Sequence, residues 1–243
     1  MPIPRPVEAP EPPLQVADPE EARRIPVARD EIVVVRHPES QQAEQFRTLR
    51  NSAVALNPDS APRTLVLTSS LRGEGKSVAT LNLAFALAEM PGLKVLVIDG
   101  NLRDPKLESL LGLPRRQGLC ELLSGRLALD QAIRTTSILG VSVLGAGSKP
   151  RNASELIGSE RMRTLLRALK MRFNYILIDT PEASTTSDAS LLGAMADGIL
   201  VVVKLYSTPR SYVEQTCRAL ESMGGNVLGT CLTGASLPDT ARR

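Results

Sequence analysis

Six short, almost wholly apolar runs alternate along this chain with stretches of helix-forming residues, and that alternation limits the fold more than any other feature. The runs are 64–68, 94–98, 141–144, 175–178, 198–204 and 226–232. Between and after them lie helix-like stretches at 77–89, 107–111, 119–123, 160–171 and 211–223. A strand that is apolar on both sides must be covered on both faces. The pattern therefore predicts an α/β fold of three layers, a mostly parallel central sheet flanked by helices. Ligands of such sheets bind where the carboxyl ends of the strands meet the loops. A chain of 243 residues is long enough for one such domain and a tail.

The first 26 residues hold eight of the 18 prolines, mixed with Glu and Arg. Proline at that density removes backbone donors and blocks helix. Residues 1–38 are expected to be a disordered tail, 39–234 the folded domain and 235–243 a short flexible end. Residues 40–56 open the domain as a helix, with Phe46, Leu49, Val54 and Leu56 at broadly helical spacing. Composition excludes several functions. Three Phe, three Tyr and no Trp leave few platforms for stacking bases, and a net charge of +3 does not call for a polyanion, so no nucleic-acid partner is expected. His37 is the only histidine, which excludes histidine metal clusters. Cys120, Cys217 and Cys231 stand far apart, without metal-ligand spacing, and read as free thiols in a reducing compartment. No leader pattern and no run of about 18 apolar residues is present, so a cytoplasmic chain with no membrane span is expected.

Three segments carry chemistry, each at the end of an apolar run. The first is Ser70-Leu-Arg-Gly73-Glu-Gly75-Lys76-Ser77, between the strand ending at Thr68 and a helix. Its glycines let backbone N–H groups converge on a polyphosphate. Lys76 supplies a cation to the β/γ oxygens and Ser77 a hydroxyl to magnesium, and the helix N-terminus adds partial positive charge. The usual first glycine of such a loop is Ser70 here. The second segment is Val95-Leu-Val-Ile-Asp99-Gly-Asn101-Leu-Arg103. Alone, Asp99 reads as a helix cap or surface carboxylate; beside a phosphate loop it becomes a candidate magnesium ligand or base. The third is Tyr175-Ile-Leu-Ile-Asp179-Thr-Pro, whose Asp179 is a second carboxylate for the metal.

Together the segments resemble the bacterial tyrosine kinases that accompany polysaccharide export, members of the P-loop NTPase superfamily unrelated to eukaryotic kinases. The resemblance covers roughly residues 40–233. It includes Gly-Glu-Gly-Lys-Ser, Ile98-Asp-x-x-Leu-Arg103, Gly118-Leu-x-x-Leu-Leu-Ser-Gly125, Asn152-x-x-Glu155-Leu, Ile178-Asp-Thr-Pro181, Ser187-Asp188-Ala and Val227-Leu-Gly229. It implies ATP and magnesium as cofactors, with ATP bound by Arg72, Gly73, Glu74, Gly75, Lys76, Ser77 and Val78. Magnesium would be held by Ser77, Asp99, Asn101 and Asp179. Catalysis would fall to Lys76, Asp99 and Asp179, with Asp99 as base toward a tyrosine hydroxyl. Glu44, Arg47 and Arg50 reproduce the family's Glu-x-x-Arg-x-x-Arg pattern along one helix flank. The flank reads either as a solvated face with a local ion pair or as the contact of a homo-oligomeric ring. The resemblance also implies a membrane chain-length-determinant protein as partner, which would recruit the chain to the inner face of the plasma membrane.

Three departures from the family pattern keep other readings open. Asn101 stands where the family has a second Asp, and Asn cannot act as a base. The tyrosine-rich C-terminal tail is missing, which leaves Tyr206 and Tyr212 as candidate phosphoacceptors, while Tyr175 leads into a core strand. Glu182 replaces a second proline. Alternatives to the autophosphorylating tyrosine kinase are a non-catalytic ATP-binding switch that assembles with the membrane partner, and a partitioning or division-positioning ATPase. Leu71 stands where the latter proteins place an early lysine.

Overall fold

A computed structural model describes residues 29–136 and 138–235. In chain order the helices are α1 (Val33–Arg36), α2 (Gln41–Ala55), α3 (Lys76–Ala88), α4 (Leu107–Leu110), α5 (Leu119–Leu123), α6 (Leu129–Ala132), α7 (Ala153–Ile157), α8 (Glu160–Lys170), α9 (Asp188–Gly193) and α10 (Arg210–Ser222). The strands are β1 (Arg63–Ser69), β2 (Val95–Asp99), β3 (Ile133–Thr135), β4 (Val141–Leu144), β5 (Tyr175–Asp179), β6 (Gly198–Lys204) and β7 (Val227–Thr233). They form one sheet in the order β3-β4-β2-β5-β1-β6-β7. Every pair is parallel except β3 with β4. The three-layer, mostly parallel architecture is the one expected.

Alternate residues of the strands face opposite layers. Leu65, Leu67, Val97, Leu177 and Val202 pack on one face with α2 and α3. Val66, Ile98, Ile178, Val201 and Val203 pack on the other with α8 and α9. Both faces of the central strands are therefore covered, which explains why they read as unbroken apolar runs, while the edge strand β7 is half-exposed. Helix α3 is buried along nearly its whole length, because it lies between the sheet and α2. Ser40 caps α2 by accepting the N–H of Ala43, and Ser159 caps α8 by accepting that of Met162.

The packed chain starts upstream of residue 39. Ile32 and Val34 are buried, and α1 lies within the segment expected to be tail. The cause is Asn82, a buried amide on α3, whose Oδ1 accepts the N–H of Val34 at 3.0 Å and whose Nδ2 donates to the carbonyl of Glu31 at 2.9 Å. The rest of the expected tail, residues 1–28, and residues 236–243 of the expected C-terminal end lie outside the described residues.

Candidate nucleotide and phosphoryl-transfer site

The loop between β1 and α3 is built for an anion. Gly73 and Gly75 have φ of +82° and +89°, a left-handed conformation that side chains resist, and together they fold the backbone around the N-terminus of α3. That 13-residue helix points its free N–H groups and partial positive charge into the loop. Distant residues hold the loop in place. The Glu74 carboxylate accepts the N–H of Leu71 at 2.7 Å and the hydroxyl of Thr208, and the Glu74 carbonyl accepts the hydroxyl of Thr233 at 2.7 Å. The ends of β6 and β7 thus buttress the loop from behind.

In front of the loop lies a cleft of about 480 Å3. Arg72, Gly73, Gly75, Lys76, Ser77 and Val78 line it. Glu74 does not: its side chain turns inward and serves the loop. Arg72 is held at the rim by Asp104, 2.9 Å away. Lys76 is nearly buried, with its ammonium 3.5 Å from the Glu182 carboxylate.

Asp99 and Asp179 are register partners at the ends of adjacent strands. Asp179 stands behind Ser77, whose hydroxyl donates to its Oδ2 at 2.5 Å, while its buried Oδ1 has no hydrogen-bond partner among the described residues. Burial raises the Asp179 carboxyl above its ordinary value, against the pull of Ser77 and Lys76. A hydroxyl and a carboxylate with an unused oxygen fit a magnesium ion held mainly by phosphate and water, and the facing lysine fits the phosphate. Among the described residues no group of three or more His, Cys, Asp or Glu could hold a metal.

Asp99 is fully buried and does not line the cleft. Its Oδ1 accepts the N–H of Asn101 at 3.2 Å, and its Oδ2 accepts those of Lys106 and Leu107 at 3.0 Å each. Burial first, then the charge of Asp179, pushes its carboxyl upward, and the backbone donors pull it back. In this geometry Asp99 caps the turn into α4 and organises the wall of the cleft. Asn101 does line the cleft, with its Oδ1 accepting the N–H of Asp104 at 3.0 Å.

Several motifs of the sequence meet at a second point beside the cleft. Arg103 donates to the buried carboxylate of Asp188 at 3.1 Å, and the hydroxyl of Ser154 donates to the same carboxylate at 2.6 Å. The β2, α7 and α9 segments are locked together there. Arg47 and Arg50 reach across to Glu89 at the end of α3, at 2.8 and 3.0 Å, and Arg47 also meets Glu44 at 3.3 Å. The two arginines are thus committed within the chain, and Glu44 is the exposed member of the three. Tyr206 is 97% exposed with φ of +59°, Tyr212 is 48% exposed, and the buried hydroxyl of Tyr175 accepts the amide of Asn57 at 3.2 Å.

No family model matches the sequence. Individual relatives do. The chain is 32% identical over 195 residues to the putative tyrosine-protein kinase CapB of Staphylococcus aureus, spanning 80% of this chain and 85% of that one. The chain belongs to the bacterial tyrosine kinases. Another member, the tyrosine-protein kinase YwqD of Bacillus subtilis, is 30% identical across 85% of this chain and 86% of its own. The kinase domain of the Escherichia coli tyrosine kinase ETK superposes with a TM-score of 0.83 at 27% identity, covering 91% of this chain and 86% of that one. The chimerical protein CapA2B2 superposes at 0.79 with 32% identity, over 88% and 96%. The P-loop fold extends to the septum site-determining protein MinD of Pyrococcus horikoshii, solved with Mg-ADP, at a TM-score of 0.61 and 27% identity over 73% and 74%. The chain is thus a bacterial tyrosine kinase of P-loop type. Among the described residues no helix is long and apolar enough to cross a membrane.

The sequence reading missed the side chains that set the loop and the cleft walls. Thr208 and Thr233 lie 134 and 159 residues from Glu74, beyond the reach of any local pattern. Glu31, Lys106, Thr185 and Thr186 also line the cleft. Glu182 alone gave a signal, as the departure from proline.

Proposed function

We propose that this chain transfers the γ-phosphoryl group of ATP to a tyrosine hydroxyl, and that it does so in the making of capsule or exopolysaccharide. Its membership of a family whose relatives bear tyrosine-kinase names supports the reading, and one contact carries it: Ser77 and Asp179, joined at 2.5 Å beside Lys76 and a helix N-terminus. Lys76 and the loop N–H groups of residues 73–78 would bind the triphosphate, and Ser77 and Asp179 would hold magnesium. Magnesium, when bound, neutralises charge on the β/γ oxygens. Lys76, with Glu182 beside it, meets the phosphates and orients the γ-phosphoryl. Tyr206 is the foremost acceptor within the chain, and Tyr212 the second. The partner is a chain-length-determinant protein of the membrane that recruits the kinase to the inner face, and copies of the chain meet in a ring through the Glu44 flank of α2.

Mass spectrometry after incubation with Mg-ATP tests the transfer, with Lys76→Ala as control. Phosphotyrosine is expected in the native chain and absent from the variant. Its absence from the native chain and from every co-expressed partner overturns the reading. The switch without transfer is favoured by one feature, the replacement of a charged residue by Asn101; ATP binding without phosphotyrosine is its expected outcome.

A further inference from the structure

The cleft lacks an obvious group to receive a proton. Asp99 gives its oxygens to three backbone N–H groups and is sealed from solvent. Asn101 has no basic oxygen, and its carbonyl is engaged by the N–H of Asp104. Asp179 receives the hydroxyl of Ser77 and lies behind it. Asp104 is paired with Arg72 and Lys106 at the rim, and Glu31 is exposed at the outer wall.

One carboxylate remains on the inner wall. Glu182 lines the cleft, its side chain is 16% exposed, and its Oε2 is 3.5 Å from the ammonium of Lys76. Its backbone is fixed on both sides. The N–H of Thr180 donates to the carbonyl of Leu67 at 3.2 Å, and the N–H of Ala183 to that of Ser69 at 2.9 Å. Burial disfavours its charge, yet its own N–H, Lys76 and Thr185 outweigh that and hold the carboxyl below its ordinary value, so it is ionised at neutral pH. The lysine beside it serves the β/γ oxygens of a bound triphosphate. A carboxylate touching that lysine therefore faces the place where the γ-phosphoryl stands.

We propose that Glu182 is the catalytic base, the carboxylate that receives the proton of the acceptor hydroxyl. The proposal rests on the kinase reading above. The acceptor oxygen bonds to the γ-phosphorus while the bond from that phosphorus to the β–γ bridging oxygen breaks. ADP leaves with the electron pair, and the hydroxyl proton passes to Glu182. A carboxylate lost at position 101 is thus replaced by one from the neighbouring strand end.

The test compares Glu182→Gln and Glu182→Asp with the native protein in Mg-ATP binding by calorimetry and in tyrosine phosphorylation by single-turnover assay. Gln keeps the shape and removes both the basic oxygen and a negative charge beside the phosphates. It is expected to bind Mg-ATP as tightly as the native chain or several-fold more tightly, and to transfer about 100-fold more slowly. Asp, with a shorter reach, is expected to restore part of the rate. Transfer by the Gln variant within about two-fold of native overturns the proposal, as does joint loss of binding and transfer, which marks a structural role. A native protein that binds Mg-ATP and phosphorylates no tyrosine overturns the kinase reading and the proposal with it, a result distinct from an active native protein and an active Gln variant.

Discussion

Asp99 and Glu74 show how an acidic residue next to a phosphate cleft can serve the cleft without entering it. Both are buried, and both spend their oxygens on hydrogen-bond donors that would otherwise be orphaned. Sequence offered Asp99 two roles, metal or base on one side and helix cap on the other, and could not choose, because a strand-terminal Asp is written identically in each case. The tertiary contacts favour the cap. Replacement of Asp99 by Ala leaves the N–H groups of Asn101, Lys106 and Leu107 without their acceptor. The expected cost is about 2 kcal/mol or more in chemical denaturation without nucleotide. A variant as stable as the native chain shows that the capping account is wrong.

Among the elements, the apolar strands, the long helices and the short helices α4 and α5 were legible, whereas β3, α6, α7 and α9 were not. The strands from β4 to β7 lie within one residue of the expected runs; β5 and β6 are covered along nearly their whole length, and the half-exposed edge strand β7 is marked by its apolar residues. Strand β3 has three residues and pairs antiparallel at the sheet edge, too short for any period to show. Helices α6, α7 and α9 span four to six residues, set by contacts with the rest of the fold rather than by propensity. Helix α2 was expected, but its attachment to α3 was not. Glu89 binds Arg47 and Arg50 at once, and the hydrogen bond from Arg47 is the first cause holding the Glu89 carboxyl below its ordinary value. A depressed carboxylate stabilises the fold above its unfolded pKa, and that contribution is lost as pH falls through the folded value. Glu89→Ala is expected to cost about 1 kcal/mol at neutral pH, given its partial exposure, and nothing once the native carboxyl is protonated. A thermal-melt series from neutral to acid pH checks this; a constant difference at every pH contradicts it.

At the scale of the molecule, the proposed acceptor is separated from the proposed cleft of the same chain. Tyr206 sits on the turn after β6 and is absent from the cleft lining, although Glu74 links that turn to the phosphate loop through Thr208. Transfer to Tyr206 is therefore expected between chains. In a mixture of native protein and an inactive Lys76→Ala chain of distinct mass, phosphate should appear on the inactive chain. It should fall several-fold when that chain also carries Tyr206→Phe. A labelling rate per molecule that does not rise with protein concentration, and an unlabelled inactive chain, count against transfer between copies.

By itself the sequence determined the α/β class, the succession of the main strands along the chain and the phosphate loop, because each follows from a local pattern of apolar runs and glycines. Only the tertiary structure decided which carboxylates face the cleft. Asp99 and Glu74 turn to backbone and hydroxyl donors, and Glu182 turns to Lys76, which lies 106 residues earlier in the chain. Side-chain direction in a loop depends on the donors that distant elements bring within hydrogen-bonding range, and no local pattern carries that information.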